Sequence, residues 1–61
     1  MQQFILQVEG ANFEELDEIE LPRLPQEGDP IETKIGTCLV VRTESAAEGS
    51  NYDGRIVCRL P

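Results

Sequence analysis

"EIELPRLPQEGDPIETKIGTCLVVRT", residues 18–43, holds two alternating segments, one run apolar on both faces and one dense corner. Glu18, Ile19, Glu20 and Leu21 set acids against aliphatics, the period of a half-buried strand. Residues 31–35 repeat the pattern, with Ile31, Thr33 and Ile35 on one side. Gly36 makes a turn. Residues 37–43, TCLVVRT, are the most β-prone run of the chain. They carry apolar groups on both faces, Cys38 and Val40 on one, Leu39 and Val41 on the other. Such a strand is central, or one of its faces meets another chain.

The corner has two readings. Pro22-Arg23-Leu24-Pro25 has the PxxP spacing of a polyproline II ligand. That mode generally wants a basic flank, and the flanks here are Glu18, Glu20 and Glu27. As part of the fold the same residues each have a task. Pro22 lacks a ladder N–H and ends a strand, and Leu24 points back to the core. Gly28 supplies a turn with positive φ, and Asp29, preceding Pro30, is biased toward extended geometry. The stretch reads as a corner.

Working outward, Phe4, Leu6 and Val8 mark a first strand over 4–8. Gly10 and Asn12 tolerate positive φ and favour a turn there. Asn12 and Glu15 also have capping-box spacing, which would place Phe13 and Leu16 on one helical turn; turn followed by strand is the reading adopted. Residues 44–54 form the longest loop, with Asp53-Gly54 as a hairpin dipeptide. Ile56, Cys58 and Leu60 alternate against Arg55, Val57 and Arg59 in a closing strand. Five short strands between turn signals predict an all-β fold, a small five-stranded antiparallel barrel or curled sheet, with residues 1–61 as a single domain. Its core is expected from Phe4, Leu6, Val8, Ile19, Leu21, Leu24, Ile31, Leu39, Val41, Ile56, Cys58 and Leu60.

The run LPRLPQEGDPI (21–31), followed by a glycine and TCLVVRT (37–43), resembles a segment of small bacterial β proteins of unknown function. It is also similar to the entry of an SH3-like barrel, where a Gly-Asp corner precedes a strand pair. The resemblance covers residues 21–43 and implies an SH3-like small barrel. It brings no activity and no site residues.

A chain of 61 residues buries only about 60% of the surface its unfolded form exposes. Such a domain is stable when a disulfide, a metal or a second copy helps. The net charge is −7 and uneven. Residues 1–32 hold nine acids against Arg23, a balance of −8; residues 33–61 hold four cations against three acids, a balance of +1. Such a field repels phosphate backbones, so direct nucleic-acid binding is not expected. No apolar run is long enough to span a membrane, and residues 1–8 lack the basic and apolar regions of a signal peptide. The chain is therefore expected in the cytoplasm, with Cys38 and Cys58 reduced. Met1 points to a complete product.

Chemistry is sparse. Histidine is absent, and with it the commonest general base and metal ligand. Two cysteines twenty positions apart lack zinc spacing, and EELDE (14–18) lacks the glycine and ligand spacing of a calcium loop. The glycines are scattered and form no phosphate cradle. No enzymatic activity, metal or cofactor is expected. If Val41 faces Arg55, Cys38 lies opposite Cys58. The two are then read as separate buried thiols, the alternative being a cross-strand disulfide. Glu18, Glu20 and Tyr52 are the candidate partner-contact residues, the acids for their charge and Tyr52 for its place on the longest loop.

Two functions fit these features. The first is a non-enzymatic β-barrel module that binds a protein partner through an apolar face or an open strand edge. The second is an acidic regulator, or nucleic-acid mimic, that occupies a basic site on a partner enzyme. A homodimer through the near-neutral C-terminal half is also expected, because strand 37–43, Ile5 and Val57 leave apolar groups outside.

Overall fold

The computed structural model of the chain describes all 61 residues. Alternating side chains form β1 (Gln2–Glu9) and β2 (Glu14–Leu21), joined by a turn in which the Gly10 N–H donates to the Phe13 carbonyl at 2.8 Å. The helical-turn alternative at residues 12–17 does not occur. β3 (Pro30–Thr33), β4 (Gly36–Ser45) and β5 (Gly54–Arg59) complete an all-β chain. The five strands make one sheet of order β2-β1-β5-β4-β3, curled into a half-barrel.

Three pairings are antiparallel, but β1 and β5 run parallel. This corrects the expectation of an antiparallel sheet throughout. Each strand reverses the one before it, so β5 returns in the direction of β1. Closing the curl inserts it directly beside β1, and the pair is parallel.

Phe4, Leu6, Val8, Ile31, Cys38, Val40, Ile56 and Cys58 form the core on the inner face, with Ile19, Leu21 and Leu60 packed against it. Three expected core residues lie outside: Leu39 and Val41 are 47% and 45% exposed, and Leu24 in the corner is exposed as well. The apolar pattern of residues 37–43 suits either face, and pairing decides between them. A register shift between Val40 and Arg42 places an extra residue, Val41, outside the ladder. Val40 then faces Cys58 and joins the core. Val57, on the outer face of the central strand, sits between its register neighbours Gln7 and Arg42 and is only 1% exposed.

Cys38 and Cys58 are joined in a disulfide, which corrects the reading of two free thiols. With Val40 opposite Cys58, Cys38 is the diagonal neighbour, at a Cα separation of 5.7 Å. That spacing lies inside the range a disulfide spans.

The corner closes as its residues dictate. The Gln26 N–H donates to Asp29 Oδ2 at 3.0 Å, and the Asp29 N–H returns to the Gln26 carbonyl at 3.1 Å. Gly28 has φ 89° and donates to the Val40 carbonyl at 2.8 Å, which docks the corner on β4. In the next hairpin the turn falls at Lys34-Ile35, so Ile35 is exposed rather than inward. The Asp53-Gly54 hairpin turn is absent. The loop turns earlier, where the Ser50 N–H donates to the Ala47 carbonyl at 3.1 Å. Gly54 instead begins β5, where a Cβ would stand 2.7 Å from the Glu44 carbonyl oxygen.

Candidate protein-interaction surface

β2 and β3 are the sheet's two margins. They differ in what they offer. β3 has four residues and begins with Pro30, which has no N–H to give. β2 has eight residues and no proline.

The direction of β2's backbone groups follows from its neighbour. The Gln3 N–H donates to Asp53 Oδ2 at 2.9 Å, and the Gln3 carbonyl accepts from the Asp53 N–H at 2.7 Å. Both groups of Gln3 therefore turn away from β2. At the other end, the Glu9 carbonyl accepts from the Leu60 N–H at 3.0 Å, again away from β2. Gln3 faces Glu20 and Glu9 faces Glu14. In an antiparallel ladder the bonded and non-bonded pairs alternate. Glu14, Leu16, Glu18 and Glu20 accordingly turn their N–H and C=O groups to the open margin. Only the Glu18 N–H is engaged within the chain, by Asp17 Oδ1 at 2.8 Å.

The same four residues carry their side chains on the outer face, where Leu16 is 63% exposed. Glu15, Asp17, Ile19 and Leu21 point inward and are partly covered. Lys34, in the β3–β4 turn, reaches across the gap and lies 3.5 Å from both Glu15 and Asp17. Glu14, Glu18 and Glu20 have no cation.

Of the residues singled out from sequence, Glu18 and Tyr52 are brought together: the Tyr52 hydroxyl donates to Glu18 Oε1. Glu20 lies next along the same row and accepts from Gln3 Nε2 at 3.4 Å. Ile5, Leu16, Asp17, Glu18 and Tyr52 line a shallow recess on this face. Sequence reasoning did not single out Leu16, which it placed beside Phe13 only in the capping-box alternative, and it named an open strand edge without assigning it to a strand. The only trace of that edge in the sequence is its crowding of acids, a common protection of exposed strands. No group of side chains is arranged to hold a metal ion. Comparison with protein-family models, curated proteins and solved structures found no match.

Three groups at this surface titrate away from their ordinary values. The hydrogen bond from the Glu18 N–H, then the charge of Lys34, holds Asp17 below 3.8. Asp17 and then Glu15 raise Lys34 above 10.5. The hydrogen bond to Glu18 raises Tyr52 above 10.0. A lowered carboxyl stabilises the fold above its unfolded value, and that contribution is lost as pH falls through the folded one. A raised tyrosine or lysine does the reverse: its contribution is present below the unfolded value and is lost as pH rises through the folded one. An acid titration followed by NMR should show the Asp17 carboxyl carbon moving with a midpoint below 3.8, with the Glu18 amide proton tracking the same curve. A Glu18 amide that stays constant through that curve would disprove the contact.

Proposed function

We propose that the chain is a non-enzymatic protein-interaction module that takes up a strand of its partner along β2. The observation that carries this reading is the row of backbone groups at Glu14, Leu16, Glu18 and Glu20, turned outward on an eight-residue margin. An unpaired strand is a template for another chain, and main-chain hydrogen bonds supply the affinity. Glu18, Glu20 and Tyr52 stand beside that edge as contact residues.

The acidic-regulator reading draws support from a different observation. Glu14, Glu18 and Glu20 stand along one exposed side with no cation beside them. The two readings separate under Leu16→Pro. This change removes one outward N–H while leaving the β1 ladder whole. Capture from a lysate of the source cells by the parent chain, and loss of that capture by Leu16→Pro at low and high salt alike, is the expected result. Equal capture by both chains that collapses at high salt would favour the acidic regulator.

The disulfide bears on location. No helix is long and apolar enough to cross a membrane. A cross-linked core suits an oxidising compartment better than the reducing cytoplasm expected from the sequence. Exposed Leu39 and Val41 on β4 supply an apolar pair for the homodimer through the C-terminal half. Sedimentation equilibrium at micromolar concentration tests it, and a purely monomeric chain would remove that contact.

A further inference from the structure

Resting on the strand-addition reading, we propose that the occupant of the β2 edge is an extended segment of a partner protein in which basic side chains alternate with apolar ones. Pairing along this edge sets the rows of the occupant. One row falls opposite Glu14, Leu16, Glu18 and Glu20 on the outer face; the other falls opposite Glu15, Asp17, Ile19 and Leu21 on the inner face.

The outer row asks for cations. Its three carboxylates form no ion pair: Arg59 lies beside Glu9, Arg42 beside Glu44 and Lys34 beside the inward acids, and neither Arg23 nor Arg55 pairs with them. Opposite charges facing each other across strands attract, and like charges repel. The inner row asks for apolar groups at one end. Ile19 and Leu21 pack at the margin of the core and are only partly covered, so an aliphatic side chain opposite them extends the core by one strand. Asp17 Oδ1 holds the Glu18 N–H until a partner carbonyl displaces it.

Charge also decides against a second copy of this chain at the same edge. β2 laid against β2 would set five carboxylates against five. The other margin offers four residues and a proline, too little for a comparable ladder.

The test is an amide NMR titration of the disulfide-bonded chain with synthetic peptides. Three are used: alternating lysine and valine, alternating glutamate and valine, and the lysine–valine peptide N-methylated on every second residue so that one edge cannot donate. The lysine–valine peptide should shift the amides of Glu14, Leu16, Glu18 and Glu20 and slow their hydrogen exchange. The glutamate peptide should leave them unmoved. The N-methylated peptide should lose binding on the unmodified protein, which keeps the result readable if Leu16→Pro fails to fold. Glu14→Gln, Glu18→Gln and Glu20→Gln together should weaken binding roughly tenfold. Equal binding of the glutamate and lysine peptides overturns the basic occupant. Equal binding of the methylated and unmethylated lysine peptides overturns strand pairing, leaving general electrostatic attraction. Absence of lysine–valine binding, in a chain whose lysate capture is still lost in Leu16→Pro, overturns the basic occupant while the module reading stands.

Discussion

Reduction of the Cys38–Cys58 bond should lower the stability of the chain by about 3 kcal/mol. The bond closes a loop between residues twenty positions apart and so removes many conformations from the unfolded ensemble. Both sulfur-bearing side chains are fully buried, so reduction leaves the core filled and isolates the effect of the tether. A core of this size rarely supplies more than about 3–5 kcal/mol, which makes the tether comparable to everything else that holds the fold. Urea unfolding with and without reductant is the measurement. The midpoint should fall by roughly 2–3 M, taking a slope near the low end for small proteins. Coincident midpoints would show that the bond does not constrain the chain in solution.

Ile56→Ala should cost about 2–5 kcal/mol, enough to unfold the reduced chain outright. Ile56 is fully buried on the central strand, between Leu6 of β1 and Thr43 of β4. With strands on both sides, its neighbours cannot easily collapse into the cavity. Val41→Ala, at the residue outside the ladder, should cost less than about 0.5 kcal/mol, as surface substitutions usually do. The pair of variants is therefore a test of which face of β4 is inside. Equal losses from Ile56→Ala and Val41→Ala in thermal unfolding would contradict the register of β4 on β5.

The legible parts of this fold are those where neighbouring residues suffice to decide. Phe4, Leu6 and Val8 alternate, so β1 has one inner face before any partner is known. Glu18 to Leu21 do the same for the second half of β2. Pro22 and Pro30 restrict their own backbones and Gly28 is free to take positive φ, so the turn of the corner is legible locally, while its docking on Val40 and the exposure of Leu24 are not. Glu18 and Tyr52 could each be marked by charge and by place. Their meeting across thirty-four positions could not be read from sequence, because it depends on how the 46–53 loop lies over β1 and β2.

Local patterns alone determined that this chain is all-β, acidic, cornered at residues 22–30 and without histidine chemistry. Strand order decided the rest. Residues 37–43 are apolar on both sides, and only pairing with β5, with Val41 left outside the ladder, turned Cys38 and Val40 inward. The same pairing brought Cys38 and Cys58 close enough to bond. The parallel β1–β5 pair and the open margin of β2 exist only once five strands have taken their places. A hydrogen-bond ladder joins residues far apart in the chain. Which backbone groups it satisfies, and which it leaves open, is a property of the assembled sheet.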